Sequence, residues 1–283
     1  MSVSAADPAL TFRVLGPEDA DLAAATGLSR FTVAELLSEL QRPRDYVWAA
    51  LFCDLRPVAL HRSMRWGDFL LFKGLYVLDD FLGTPAGLRL ALLLRNYART
   101  AGYRGIAVWI ESGKPERAIA ARLRVSQSGP ILHRFLLPLP PSSDAPGTLP
   151  EACSGRVEVA CSGPPLVADL LTGTESPEPH VNWVLDRDLL VLGGAPCTSI
   201  GQLPDLTGGL AALGHSLGAQ AIELPLPASD LFAMFALTST GAQRLSRTPV
   251  RLGLHRFDRQ AGLSLDGGAG AQTKDIAEAA HAG

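Results

Sequence analysis

The stretch LYVLDDFLGTPAGLRLALLL, residues 75–94, decides how this chain is read. Leu75, Val77 and Leu78 carry large apolar side chains suited to a buried strand. Gly83 and Gly87 permit a sharp turn and a close backbone approach, and residues 88–94 are strong helix formers. The order strand, glycine turn, helix leaves the first amide groups of the helix without intrahelical acceptors, with the positive end of the helix dipole behind them. An arrangement of that kind is suited to hold a phosphate. Since such a turn also serves as a plain connection, the flanking sequence has to decide its use.

Before the quoted stretch, the pattern predicts a strand over 10–15 closed by the turn GPED at 16–19. A short helix over 19–25 follows, then a second over 32–41 capped by the Thr32 hydroxyl. Three successive strands, 46–53, 58–66 and 69–78, are joined by turns at 54–57 and 67–68. After the glycine turn come a helix reaching residue 100, a strand over 105–111, a helix over 115–124 and a strand over 131–137.

Prolines at 138, 140, 141, 146 and 150 mark a linker over 140–154. Beyond it the pattern repeats in shortened form, with strands at 156–160, 180–185, 189–192, 221–226 and 250–257 and helices at 206–217 and 229–238. AGYRGI (101–106) matches LGAQAI (217–222), and the tripeptide HRF occurs at both 133–135 and 255–257. Residues 259–283, rich in Gly and Ala with few large apolar side chains, are expected to be a disordered tail. The expected fold class is α/β (α+β): two mixed-sheet units in tandem, 1–139 and 155–258, with the C-terminal unit truncated.

At 283 residues, 47% hydrophobic and 19% charged, with a net charge of −3, the chain has room for two cores without disulfides. Its arginines are dispersed and not interleaved with aromatics, which argues against nucleic acid as a partner. The start MSVSAADPALTF lacks the basic residues and apolar core of a signal peptide, and no uncharged apolar run reaches the roughly 18 residues that span a bilayer. A cytoplasmic protein with no membrane partner is expected. Cys53, Cys153, Cys161 and Cys197 form no C-x-x-C pair and lie near no His at zinc-ligand spacing, so reduced thiols and no metal site are expected.

The order strand, two helices, three antiparallel strands, glycine turn, helix, strand, helix, strand resembles the GNAT superfamily of acyl-CoA-dependent N-acyltransferases. The likeness covers residues 10–137 well and 156–257 in part. In that family the fourth strand leads into a loop of Gln or Arg, two residues, Gly, one residue, then Gly or Ala. LGTPAG at 82–87 occupies it here. The resemblance implies two GNAT-like units, with acetyl-CoA or another acyl-CoA as co-substrate. Main-chain groups of Val77 and Leu78 would bond the pantetheine amides, and N–H groups of Gly83, Thr84, Ala86, Gly87 and Leu88 would hold the pyrophosphate. Two residues depart from the pattern: Leu82 replaces the basic or amide residue, and Pro85 removes one N–H donor. Arg89, one turn into the helix, would restore positive charge by reaching back.

As activity the resemblance implies direct acyl transfer to a small-molecule amine, and it admits a homodimer. Many family members protonate the leaving thiolate with a Tyr in the helix after the fifth strand, but residues 114–125 contain none and the matching position falls near Arg122. Ser126 and Ser112 are the hydroxyls at hand. An alkylammonium acceptor needs a base, worth about 10²- to 10⁴-fold. Glu111, at the end of the fifth strand, is the first candidate, followed by Asp80, Asp79 and His61. Trp66, Trp109 and Trp183 are core residues that would also suit an acceptor site. A catalytically degenerate acyl-CoA-binding or dimerisation module is the non-enzyme alternative. GHSLG at 214–218, followed by Asp230 and His255, matches the nucleophile elbow and order of a serine esterase of α/β-hydrolase type with Ser216 as nucleophile. That reading needs a strand before Ser216, where the sequence predicts a helix, and leaves only 14 positions to Asp230.

Overall fold

The computed structural model describes residues 10–27, 31–111, 115–127, 131–139, 156–159, 166–170, 182–186, 189–192, 203–245 and 248–257. The linker over 140–154, the tail over 259–283, Ser112, Cys153, Cys161, Cys197 and the side chain of Trp183 lie outside the described residues. Cys53 is a free, half-buried thiol.

In the first half, β1 (Leu10–Val14) leads through a 3-10 turn into α1 (Ala20–Ala25) and α2 (Val33–Leu40). Thr32 starts α2 as predicted, with its hydroxyl accepting from the Glu35 N–H at 3.3 Å while the Glu35 carboxylate accepts from the Thr32 N–H at 2.7 Å. The meander β2 (Tyr46–Cys53), β3 (Arg56–Trp66) and β4 (Phe69–Val77) follows, then α3 (Ala86–Thr100), β5 (Gly105–Glu111), α4 (Pro115–Arg122), the two-residue β6 (Ser126–Gln127) and β7 (Leu132–Pro138). The second half comprises β8 (Arg156–Val159), β9 (Leu166–Leu170), β10 (Asn182–Asp186), β11 (Leu189–Leu192), α5 (Leu203–Ser216), β12 (Ala221–Pro227), α6 (Leu231–Ser239), β13 (Gln243–Arg244) and β14 (Val250–Arg256). Strands β6, β9 and β13 were not predicted. No helix among the described residues is long and apolar enough to cross a membrane.

All strands join one sheet in the order β1-β2-β3-β4-β5-β14-β7-β12-β11-β10-β9-β8, with β6 on β14 and β13 on β7. One face is covered by α3 and α4. Leu90, Ala91, Leu94 and Ala98 recur at helical spacing on α3 and bury against Leu70, Phe72 and Ile106 of the sheet. The opposite face carries α1 and α2, where Leu36 and Leu40 pack on Trp48, Phe52 and Leu60. Truncating a fully buried leucine such as Leu94 would cost about 2–5 kcal/mol.

The middle of the sheet records an exchange between the halves. Beside β5 of the first half lies β14, the last strand of the second, and beside β12 lies β7, the last strand of the first. The AGYRGI/LGAQAI match is structural. Gly102 and Gly218 both take positive φ after their helices, and Tyr103 and Ala219 both donate to a carbonyl five residues back, Ala98 and Gly214. The HRF match is not. Gly105 faces Arg256 and Glu111 faces Val250, whereas Ala221 faces Pro138 and Pro227 faces Leu132. Superposing β5 on β12 therefore aligns His133 with Arg251 and His255 with Leu137, leaving the two tripeptides four residues out of register.

Candidate active site

Strands β4 and β5 pair in parallel from Phe69 opposite Gly105 to Phe72 opposite Val108, and the pairing ends there. The cause lies in β4. Its register with β3 shifts so that Arg62 faces Gly74 while Ser63 faces Phe72, which leaves Lys73 as a bulged extra residue. Past the bulge β4 departs from β5 and the strands splay around a cavity of about 880 Å³. His61, Leu75, Val77, Leu88, Ala91, Ile119 and Leu123 line it toward α3 and α4, and Lys73, Trp109, Glu111 and Arg134 also line it.

Alternation along β4 sets which amides face this space. Leu78 donates its N–H to the Val58 carbonyl at 3.0 Å and is thereby held to β3. The main-chain groups of Leu75 and Val77 point the other way, toward the cleft. The loop then winds through a 3-10 turn at Asp79–Phe81 to Gly83, whose φ of +80° is open to a glycine and strained for other residues. Thr84 donates its N–H to Phe81, and its hydroxyl accepts from the Ala86 N–H at 3.3 Å. Arg89 N–H makes the first helical bond, to Pro85 at 2.8 Å. This leaves the amides of Gly83, Gly87 and Leu88 around the cavity. Gly87 must be small, because a Cβ there would stand 3.2 Å from Val77 Cγ2 and 3.3 Å from Leu75 Cδ2.

Of the residues expected to hold a cofactor, Val77, Gly83, Thr84, Gly87 and Leu88 line the cavity, whereas Leu78, Ala86 and Arg89 do not. The Arg89 guanidinium instead donates to the Leu10 carbonyl at 3.4 Å. Among the acid and base candidates, Glu111 lines the cavity and accepts from the Thr248 hydroxyl at 3.1 Å. Asp79 and Asp80 are exposed in the 3-10 turn, and Ser126 donates its hydroxyl to the Leu254 carbonyl at 2.8 Å. His61 lies buried at the cavity wall against Phe72, its Nδ1 3.0 Å from Ser63 Oγ. Burial pushes its imidazole down to about 3, so it is neutral at physiological pH. Trp66 is fully buried beside Trp109, its ring centroid 6.3 Å away.

Sequence reasoning missed the two cations of the cleft. Lys73 Nζ stands 3.4 Å from Asp186 Oδ2, and Arg134 pairs with Glu223 at 2.5 Å while its guanidinium lies over the Trp109 ring at 5.2 Å. Both carboxylates come from the second half, on β10 and β12. Asp186 is also gripped by Arg62 at 2.6 Å and accepts from the Tyr46 hydroxyl at 3.1 Å, and Arg62 in turn holds Glu39 at 2.6 Å. Burial alone would raise the Asp186 carboxyl, but Lys73 and Arg62 pull it down to about 2. The one signal in the sequence is a charge inside an apolar strand, Lys73 in FLLFKGLYV.

No family model matches the chain and no curated protein matches it. Among solved structures it is similar to a putative acetyltransferase from Pyrococcus horikoshii, at 11% identity over 91% of this chain and 93% of that one, with a TM-score of 0.48. It is also similar to a tandem GNAT protein from the clavulanic acid biosynthesis pathway, at 13% identity over 87% and 98%, TM-score 0.44. PaiA N-acetyltransferase from Thermoplasma acidophilum, solved in complex with coenzyme A, is similar at 13% identity over 43% and 93%, TM-score 0.36. The chain's own topology is what bears on the expectation: strand, two helices, three antiparallel strands, glycine loop, helix, then a parallel strand that splays from the fourth. The fold is GNAT-like.

In this GNAT-like fold the esterase constellation has no place. Ser216 ends α5 and donates its hydroxyl to the Leu213 carbonyl at 2.8 Å, so a helix stands where the elbow needs a strand. Asp230 caps α6 by accepting from the Ala233 N–H at 2.9 Å, and His255 Nδ1 lies 3.0 Å from the Arg124 carbonyl on β14.

Proposed function

We propose that the protein is a cytoplasmic N-acyltransferase that passes an acyl group, acetyl in the first instance, from acyl-CoA directly to a small-molecule amine. The observation that carries this reading is the splay of β4 from β5 at the Lys73 bulge, opening a cavity edged by strand amides on one side and helix-start amides on the other. Leu75 and Val77 suit the pantetheine amides, since an extended chain can add to a strand edge. Gly83, Gly87 and Leu88 suit a phosphate group. In this reading the segment 1–139 holds the donor, and 155–258 serves it by supplying β14, Asp186 and Glu223.

The acceptor nitrogen attacks the thioester carbonyl, the C–N bond forms and the C–S bond breaks. An alkylammonium acceptor must shed two protons in the process. Glu111 takes one and passes it to water, and the departing thiolate takes the other. Holding thioester and amine in one cleft contributes much of the acceleration through positioning.

The test is thiol release from acetyl-CoA across a panel of amines, with acetyl-CoA binding measured in parallel. Acceptor-dependent release is expected. Binding without release would favour a binding module, and the absence of both with every thioester donor offered would end the proposal.

A further inference from the structure

Six of the arginines dispersed in the sequence are gathered by the fold onto one layer. Arg89, Arg95 and Arg99 lie on α3, Arg117 and Arg122 on α4, and Arg124 in the turn after it. Across α3 and residues 115–124 the sequence carries a single acid, Glu116. None of the six arginines forms an ion pair with a carboxylate among the described residues, although the chain as a whole has a net charge of −3. Five of them are exposed and Arg95 is half-buried. Arg95 and Arg99 stand one turn apart on the same face of α3. The Arg95 guanidinium is held below its ordinary value first by partial burial, then by the charges of Arg99 and Arg124. Three like charges are thus crowded together, an arrangement that costs energy unless a partner of opposite sign covers it.

The layer starts beside the cleft, because the same two helices supply Leu88, Ala91, Ile119 and Leu123 to the cavity wall, while the six arginines themselves lie outside that lining. It also extends well past the phosphate loop. From Arg89 to Arg99 the helix rises about 15 Å. The loop itself offers few donors: Pro85 has no N–H, and Thr84 and Ala86 are already engaged, leaving three amides, a number suited to one phosphate group. At the loop tip Leu82 is 62% exposed, an apolar contact beside the charged layer.

We propose that the acyl donor is presented to this cleft by an acidic carrier protein, whose phosphopantetheine arm enters between β4 and β5 while its carboxylate-rich surface docks on the α3–α4 arginines. The inference rests on the transferase reading of the cleft and changes only what carries the thioester. The bonds are the same: the amine forms C–N, the C–S bond breaks, and the thiol stays on the carrier's arm. The nucleotide of CoA is then dispensable, and long-range attraction between the arginine layer and the carrier replaces it as the source of donor affinity.

The test uses the full chain with acetylated holo acyl-carrier protein, measured by fluorescence anisotropy at low and high salt, beside acetyl-CoA and acetyl-pantetheine as free donors. Binding of the carrier is expected at low salt, weakening as salt screens the charges. The double variant R95E/R99E, and the milder R99Q should the double variant not fold, is expected to weaken carrier binding, by about tenfold or more for the charge reversal. Transfer from acetyl-pantetheine should stay unchanged in both. Equal carrier binding by wild type and R95E/R99E, or no carrier binding while acetyl-CoA binds and reacts, overturns the carrier inference and leaves the transferase standing. No binding and no transfer with any of the three thioesters overturns the transferase reading itself.

Discussion

Lys73 Nζ lies 3.4 Å from Asp186 Oδ2, so the cation at the point where β4 leaves β5 is held by a carboxylate 113 residues later in the chain. The contact belongs to a buried set in which Arg62 and Lys73 balance Glu39 and Asp186. Such a set stabilises little in net terms, because desolvation offsets most of the attraction, but it fails expensively when one member is lost.

Replacing Asp186 with Asn leaves Lys73 without a carboxylate partner among the described residues and Arg62 with Glu39 alone. A destabilisation of about 3–5 kcal/mol is expected from chemical denaturation. Replacing Asp186 and Lys73 together, by Asn and Met, should restore part of that loss; a double variant as unstable as the single one would show that the pair is not coupled.

His61 sets a pH dependence with a defined sign. Its imidazole titrates near 6.5 in the unfolded chain and is pushed down to about 3 in the fold. Above pH 6.5 both states are neutral and stability is complete. As pH falls from 6.5 toward 3 the unfolded state binds a proton that the folded state does not, so stability drops by up to about 1.4 kcal/mol per pH unit. In a His61→Gln variant, denaturation curves between pH 4 and 7 should lose most of that slope. Asp186 adds its own loss only lower, between about 4 and 2.

Gly87→Ala places a methyl group against Val77 and Leu75, where the start of α3 meets β4. The helix start is expected to shift by a few tenths of an ångström while the core stays folded. Donor affinity should fall about tenfold, about 1.4 kcal/mol, in a titration with acetyl-CoA. An unchanged affinity together with an unchanged melting temperature would mean that the helix start does not touch the donor.

Glu111→Gln keeps the contact with Thr248 but removes the base. Turnover with an amine acceptor is expected to fall by about 10²- to 10⁴-fold, with acetyl-CoA affinity nearly unchanged. An unchanged melting temperature beside that loss of turnover would distinguish a lost base from a displaced strand.

The strand β2 was legible to its end residues because it is a continuous apolar run with turn residues on both sides, and β5 because its apolar run starts at Gly105 and stops at the charge of Glu111. The two-residue strands β6 and β13 have too few residues to show any period, and they pair only because the exchanged strands pass beside them. The glycine loop was legible for a similar reason: Gly83 and Gly87 are constrained by local geometry. Lys73, Arg134, Asp186 and Glu223 were not, because a bulge and an inter-half pairing bring them together, and neither leaves a local pattern. The repeated HRF shows the converse hazard, a local match whose two copies occupy different places in the fold.

The exchange of β7 and β14 also dictates an order of events during synthesis. The partner of β5 is encoded between 139 residues later, for Glu111 and Val250, and 151 residues later, for Gly105 and Arg256. As the chain emerges from the ribosome, β5 must wait as an open edge, with its amides unpaired on one side, until residues 250–256 have been made. The first half therefore cannot close while it is being translated. A nascent or truncated chain ending before residue 250 would present that edge to any neighbour, and its natural remedy is the β14 of another copy.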